Sequence, residues 1–201
     1  MGDNIMLRRV AIYWTECMIS DGIVERNREA IYIYGIELFL STMGTVLSMI
    51  LISILTDNFL NGILFLIVSM SLKMTANGYH AKTYLGCFLL TNGIFIFYIY
   101  LISLYPIKGA GQVLTAFFVV SVVYIYTKAP VEHPNHILTE EKRKKNRRYA
   151  HIILAIDCMT TIFLYVLGQK KTVYSLYITI ILSACIMMIK NKPANKKSIG
   201  K

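Results

Sequence analysis

Six apolar runs dominate the chain, and each is close to the length of a membrane-spanning helix. The hydrocarbon core of a bilayer is about 30 Å thick, and a helix that rises 1.5 Å per residue crosses it in roughly 20 residues. The predicted spans are Ile31–Leu55, Phe59–Leu72, Leu85–Tyr105, Gln112–Thr127, Ala150–Leu167 and Val173–Ile189. The second and fourth are short, which thinning of the bilayer or non-ideal helix ends would allow. A soluble core in 201 residues has no room for so many such runs, so we predict an all-α polytopic membrane protein.

The segment before the first span, Ile5–Ser20, mixes apolar residues with charges. Arg8, Arg9 and Glu16 interrupt what would have to be the apolar core of a signal peptide, so no cleavable signal is expected. We predict an interfacial amphipathic helix with Trp14 at the headgroup level, and an ordinary packed helix is the alternative. The predicted organisation is one membrane-embedded domain, residues 1–201, made of an N-terminal region (1–28), a transmembrane bundle (31–189) and a tail (190–201).

Basic residues are distributed unequally between the two sides that alternating spans create. With a cytoplasmic N-terminus, eighteen of the 21 Lys and Arg residues fall in cytoplasmic segments, and only Lys108, Lys170 and Lys171 fall outside. Because basic residues concentrate on the cytoplasmic side, both termini are predicted to be cytoplasmic. This topology, together with anionic membrane lipid as a partner, explains the net charge of +10, and nucleic acid is not expected as a partner. The run from Glu140 to Arg148 is interpreted as a solvated N-terminal extension of the fifth span.

One predicted cytoplasmic connection, residues 73–87, holds the two residue types that thiol chemistry requires. A histidine, His80, precedes a cysteine, Cys87, by seven positions. An imidazole removes a thiol proton, and the resulting thiolate attacks a carbonyl carbon. The pair therefore indicates acyl transfer. The alternative is that His80 is an interfacial residue and Cys87 a packing residue, and from the pair alone this alternative is the favoured interpretation.

The spacing of this pair restricts the backbone between its members. On one straight helix the two residues would lie about 10.5 Å apart along the axis, so His80 must lie on a turn that folds back. Asn77-Gly78 suits such a turn, and Thr83 is a suitable N-cap for a helix whose first turn reaches Cys87. The positive end of that helix and Lys82 would favour the thiolate, and backbone N–H groups near Cys87 are candidate oxyanion donors.

Other polar residues have structural interpretations that compete with functional ones. His133 and His136 have the spacing of a zinc pair, but Pro134 breaks the helical register and no third ligand is evident. No metal and no other cofactor is therefore expected. Glu37 and Asp157 lie inside apolar spans, where hydrogen bonds between helices are the favoured interpretation and a path for a peptide is the alternative.

The stretch Lys73–Cys87 resembles the signature of the AgrB family, the accessory gene regulator B proteins of Gram-positive quorum sensing. That signature has a basic residue, a Gly-rich turn, His-Ala and a Cys seven residues after the His, which correspond here to Lys73, Asn77-Gly78, His80-Ala81 and Cys87. The stretch from Ala129 to His136, followed by Glu140, Glu141 and a basic run, is similar to the family's other hallmark loop. The family usually has Arg at position 73 and Gly-Gly at 77–78. Asn tolerates the turn, whereas Lys lacks the planar fork of Arg.

The resemblance implies a membrane cysteine endopeptidase that processes an AgrD-type propeptide, with His80 and Cys87 as the catalytic residues. Such precursors have an amphipathic leader, a central segment with Cys or Ser, and an acidic C-terminal tail. The enzyme would remove the tail through an acyl-enzyme thioester and promote (thio)lactone ring formation. Residues that would support the substrate or the transition state are Lys73, Asn77, Gly78, Lys82 and Glu132.

Two other function classes remain open at the level of sequence. The resemblance places the protein in the plasma membrane of a Gram-positive bacterium, as a homodimer with its active site in the cytoplasm. A small membrane exporter of a peptide, without proteolytic activity, is one alternative and is supported by the polar residues inside the spans. A non-enzymatic scaffold or sensor is another, and it would leave the His80 and Cys87 turn unexplained.

Overall fold

The computed structural model describes residues 5–76, 83–106, 110–131 and 139–189, and these ranges are helical with short connections. The helices are α1 (Ile5–Ser20), a 3-10 helix (Arg26–Arg28), α2 (Glu29–Leu55), α3 (Phe59–Ala76), α4 (Tyr84–Ser103), α5 (Ala110–Lys128), α6 (Glu140–Val166) and α7 (Lys170–Met188). Within these ranges six helices, α2 to α7, are long and apolar enough to cross a membrane. The predicted all-α polytopic fold is confirmed.

Helices α3 and α6 extend furthest beyond their apolar runs. Helix α3 continues past Leu72 to Ala76, and α6 begins at Glu140, well before the apolar run that starts at Ala150. An apolar run marks only the part of a helix that lies in hydrocarbon, whereas the backbone hydrogen bonds continue into water. Glu140 and Glu141 occupy the first turn of α6, where acidic side chains are favoured by the helix dipole. The predicted N-terminal extension of this helix is therefore confirmed.

Helix α1 has the bounds predicted for the interfacial segment, and it packs on α2 by a narrow face. Ala11 and Thr15 are fully buried, and the Thr15 hydroxyl donates to the Ala11 carbonyl at 2.8 Å. An ion pair of 3.2 Å between Arg26 and Glu16 joins this helix to the chain just before α2. Trp14 is exposed, as the interfacial interpretation requires. A location of α1 on the membrane surface remains a prediction.

Helix α7 lies at the centre of the bundle. It packs against α3, α4, α5 and α6, and it is the most buried of the six spans, whereas α2 and α5 are the least buried. Between α3 and α4 the rings of Phe65 and Tyr98 lie 4.3 Å apart. The Tyr98 hydroxyl donates to the Asn61 carbonyl at 2.8 Å and also shares a hydrogen bond with Ser175 of α7. The three central helices are thus joined by aromatic packing and by a satisfied buried hydroxyl.

Gly62 of α3 sits where α2 crosses at short distance, and its replacement by alanine is expected to destabilise the bundle. A Cβ atom at this position would overlap the Ser53 hydroxyl and lie 2.7 Å from the Ser53 Cβ, so the two helices would have to separate. We expect Gly62→Ala to cost about 1–3 kcal/mol and to lower the Tm in detergent by several degrees. Gly93→Ala is the matched control, because a Cβ there has nothing within 4 Å. Equal Tm values for the two variants would contradict this account of the crossing.

Candidate active site

Cys87 lies in the first turn of α4, and Thr83 caps that turn. Thr83 has extended backbone angles (φ −129°, ψ 152°), and its side chain accepts a hydrogen bond from the Gly86 amide at 3.0 Å. Its carbonyl accepts from the Cys87 amide, also at 3.0 Å. The predicted N-cap and the predicted place of Cys87 are both confirmed. Thr83 therefore holds the backbone of the cysteine through two bonds to consecutive amides.

These two bonds bear on the predicted oxyanion donors, which were the backbone N–H groups near Cys87, with Lys82 or Lys73 as further candidates. Among these groups, the amides of Gly86 and Cys87 already donate to Thr83. Donating to an oxyanion would require them to give up a bond that the start of the helix needs. The other groups that stand close to Cys87 therefore become the leading candidates for donors.

Replacement of Thr83 by valine is expected to slow the reaction of Cys87 and to lower stability. Valine keeps the shape of threonine but leaves the Gly86 amide without its acceptor, which costs about 1 kcal/mol. A loss of this size lowers the Tm by roughly 2–4 °C in a chain of this length. Thr83→Ser retains the oxygen and should behave like the wild type. The measurements are the Tm in detergent and the rate of Cys87 alkylation by iodoacetamide, and an unchanged Thr83→Val protein would remove the capping role.

Lys73, in the last turn of α3, is the charged group found next to Cys87. Its Nζ atom lies 3.9 Å from the Cys87 Sγ atom, and both side chains are half-buried. Helices α3 and α4 are consecutive spans, so the end of α3 and the start of α4 meet at one end of the bundle, called here the Cys87 end. The sequence interpretation assigned support of the thiolate to Lys82, and it named Lys73 among the residues that would support the substrate or the transition state. The contact gives Lys73 a position from which its charge acts on the sulfur directly.

Several predicted site residues lie outside the described ranges. These residues are His80, Asn77, Gly78, Lys82 and Glu132. The pairing of His80 with Cys87 therefore stays a prediction.

One described contact does relate the two stretches that carry these residues. The Val131 amide donates to the Ala76 carbonyl at 2.8 Å. Ala76 immediately precedes Asn77 in the chain, and Val131 immediately precedes Glu132. The two hallmark stretches therefore leave the helical bundle at neighbouring points.

A cavity of about 160 Å³ lies between α2, α3, α4 and α7, and Cys87 is part of its wall. Lys73, Tyr84 and Cys87 line it at the Cys87 end, whereas Met49 and Phe65 line it deeper in the bundle. Most of the lining surface is apolar. We call this space the Cys87 cavity. Cys87 thus lies where the apolar interior of the cavity meets a rim that carries the charge of Lys73.

Tyr84 and Glu37 form a second polar pair beside the same rim, and the sequence interpretation singled out only Glu37. The Tyr84 hydroxyl is enclosed and interacts with the Glu37 carboxyl group of α2, although the geometry falls short of a full hydrogen bond within the described part of the chain. Tyr84 stands three residues before Cys87, a spacing that places two side chains on one helix face. That spacing is the signal by which the sequence could have identified it.

Asp157, the other acidic residue inside a span, lies elsewhere. It is buried in α6, does not line the Cys87 cavity, and its Oδ2 atom has no hydrogen-bond partner among the described residues. The predicted hydrogen bond between helices is therefore not found for this oxygen. Nothing in the described structure connects Asp157 with the chemistry of Cys87.

Comparison with known proteins identifies the family. The family model described as AgrB, accessory gene regulator B, matches residues 11–189, which includes every span and both hallmark stretches. Comparisons with curated proteins and with solved structures found no match. The family match supports a role in the processing of accessory gene regulator quorum-sensing peptides. With most of its length matched, this six-span membrane protein belongs to the accessory gene regulator B family.

Proposed function

We propose that the protein is a membrane cysteine endopeptidase that removes the C-terminal tail of an AgrD-type propeptide. The observation that carries the proposal is the position of Cys87, at the capped start of α4, 3.9 Å from the Lys73 ammonium and in the wall of an apolar cavity. A cysteine that only fills space in a bundle needs neither a neighbouring cation nor access to a cavity. A thiol that acts as a nucleophile benefits from both, because a cation stabilises the thiolate and a cavity admits the acyl group.

The proposed reaction begins with transfer of the Cys87 proton to His80. The thiolate attacks the peptide carbonyl at the junction between pheromone and tail, and the C–N bond breaks as His80 returns the proton to the departing amine. The product is a thioester between Cys87 and the acyl part of the substrate. A thiol or hydroxyl within the substrate then attacks the thioester, which forms the (thio)lactone ring and releases the Cys87 thiol.

Lys73 is proposed to stabilise negative charge at two stages of the reaction, first on the Cys87 sulfur and then on the carbonyl oxygen of the substrate. Its ammonium faces the sulfur in the free enzyme, and the carbonyl oxygen of a bound substrate would develop its charge within reach of the same group. Because the amides of Gly86 and Cys87 are occupied by Thr83, the side chains of Lys73 and Tyr84 are the proposed oxyanion donors. Asn77, Gly78, Lys82 and Glu132 are proposed to complete the site from the two stretches that follow Ala76 and Val131.

The distribution of basic residues supports a topology for the protein and a side of the membrane for its substrate. We propose that the Cys87 end and both termini lie in the cytoplasm of a Gram-positive cell, since the Cys87 end also carries the basic residues from Lys142 to Arg148 near the start of α6. The leader of the propeptide would lie on the inner leaflet, and its acidic tail would be drawn to Lys73 and to the basic residues from Lys142 to Arg148. The exposed helices α2 and α5 leave surface for lipid and for the second subunit of a homodimer.

Reconstitution tests the proposal against the export alternative. The purified protein is placed in liposomes with a synthetic propeptide and without ATP or an ion gradient. We expect two fragments cut at the junction of pheromone and tail, and we expect iodoacetamide treatment to prevent their formation. Movement of intact propeptide into the vesicles without cleavage would favour a transporter and would overturn the peptidase.

A further inference from the structure

We infer that the Cys87 cavity is a specificity subsite that binds one bulky apolar side chain of the substrate, that of the residue whose carbonyl becomes bonded to Cys87. The inference rests on the proposed peptidase function. It predicts a property of the substrate that follows neither from the family match nor from the predicted catalytic pair. The cavity, and not the charged rim, would decide which residue is accepted on the acyl side of the cleaved bond.

The first argument is the continuity between the nucleophile and the cavity. Two facing helices line the space with side chains that follow one another by about one turn, from the rim inward: Cys87, Thr91 and Ile94 on α4, and Lys73, Ser69 and Phe65 on α3. Seven residues separate Cys87 from Ile94, so the α4 wall extends inward about 10 Å at 1.5 Å per residue. A side chain that enters beside Cys87 therefore points directly into this space.

The second argument is that several hydroxyl groups in the wall of the cavity already donate hydrogen bonds within their own helices. The Thr42 and Thr45 hydroxyls of α2 donate to carbonyls of their own helix at 2.8 and 2.9 Å, and the Ser183 hydroxyl of α7 does the same at 2.8 Å. An apolar occupant therefore leaves none of these three donors unsatisfied, which would otherwise be costly. A carboxylate in the same place would lose its hydration without gaining a donor from these hydroxyls. The part of the cavity below the rim therefore favours an apolar occupant, and the acidic tail is expected to stay at the rim, where Lys73 lies.

The third argument is the volume. An apolar protein cavity of roughly 150 Å³ binds a molecule of the size of benzene. The Cys87 cavity, at about 160 Å³, therefore has room for one aromatic or branched aliphatic side chain. In the thioester, the carbonyl carbon of one substrate residue is bonded to the Cys87 sulfur. The side chain of that residue is therefore the substrate group nearest to the opening of the Cys87 cavity. Glycine or alanine at this position would leave most of the space unfilled.

The test compares propeptides that differ only in the residue before the cleaved bond, which is alanine, leucine or phenylalanine. For the wild-type protein in liposomes we expect kcat/KM to be about tenfold or more higher for phenylalanine or leucine than for alanine, because burial of the larger side chain contributes binding energy. Ser69→Leu places a larger group one turn below Lys73 and should reduce the preference for phenylalanine over alanine at least tenfold. Met49→Ala deepens the cavity and should shift the preference toward a still larger tryptophan.

Each variant has a matched control on its own helix. Ser71→Leu makes the same change two residues away, at a hydroxyl that bonds the Ile67 carbonyl at 2.7 Å and does not line the cavity. Met43→Ala makes the same change at an exposed position of α2 outside the lining. Both controls should keep the wild-type order of substrates.

The outcomes separate this inference from the proposed function. Thiol-dependent cleavage with equal kcat/KM for all the substrates would overturn the subsite and leave the peptidase standing. A Ser69→Leu protein that loses activity equally toward every substrate would show that the cavity holds a lipid chain or only packs the bundle, and this also overturns the subsite. Absence of thiol-dependent cleavage by the wild-type protein would overturn the peptidase and the subsite together.

Discussion

Replacement of Cys87 by alanine is expected to abolish cleavage of the propeptide, with the rate falling by at least ~10³-fold to the background level. The reason is that the proposed reaction passes through a thioester to this sulfur, which lies beside Lys73 in the wall of the Cys87 cavity. Alanine removes the sulfur without disturbing the backbone, because the Cys87 amide remains bonded to Thr83. Membrane insertion and Tm should therefore be unchanged, and the measurement is the appearance of the tail fragment in liposomes.

The other cysteines provide the controls for this experiment. Cys17 and Cys185 are exposed, Cys158 is half-buried, and none of the three lines the Cys87 cavity. A protein in which these three are serine should retain cleavage and should be inactivated by iodoacetamide as fast as the wild type. Full cleavage by Cys87→Ala in that background would contradict the proposal that the protein is a cysteine peptidase.

Replacement of Lys73 by methionine is expected to slow cleavage by about ten- to a hundredfold. Two unit charges 4 Å apart interact by about 1 kcal/mol in water and about 4 kcal/mol at an effective dielectric constant of 20, and a half-buried pair lies between these limits. The Nζ-to-Sγ distance of 3.9 Å places Lys73 in this range, and methionine retains the apolar stem of the side chain. The measurements are kcat/KM in liposomes and the rate of Cys87 alkylation at neutral pH, which should fall together.

Two further variants separate charge from structure at this position. Lys73→Arg keeps the cation and should recover most of the activity. Lys128→Met removes a lysine from the last turn of α5, at the same end of the bundle and outside the cavity lining, and it should have no effect. If Lys73→Met lowered the Tm without changing the alkylation rate, the residue would have a structural role only.

The sequence predicted the helices well because each apolar run must be about as long as the hydrocarbon core is thick. It predicted the end of α3 less well, since this helix continues past its apolar run to Ala76, where membrane thickness no longer limits length. The N-cap at Thr83 was predictable because capping depends on a few neighbouring residues. Both predictions need only one segment of the sequence, because capping depends on adjacent residues and the length of a span on the thickness of the membrane.

The rest of the site was not predictable, because it depends on contacts between segments. The lysine that contacts Cys87 belongs to the preceding span, fourteen residues earlier. The sequence named Lys73 as a supporting residue, but it assigned support of the thiolate to the nearer Lys82. The Cys87 cavity requires side chains from four helices, and no single run reveals which faces meet. Likewise, the engagement of the Gly86 amide by Thr83 removed a candidate oxyanion donor that the start of a helix would otherwise supply.

The bond from the Val131 amide to the Ala76 carbonyl has a consequence for engineering this protein. It joins two points 55 residues apart in the chain, each of which opens onto one of the stretches that identify the family. A chimera that imports only residues 77–82 from a relative therefore attaches that relative's segment to this chain's own residues at positions 76 and 131. We expect a chimera to keep its Tm in detergent when both stretches are transplanted as one unit, with the residues at positions 76 and 131 included.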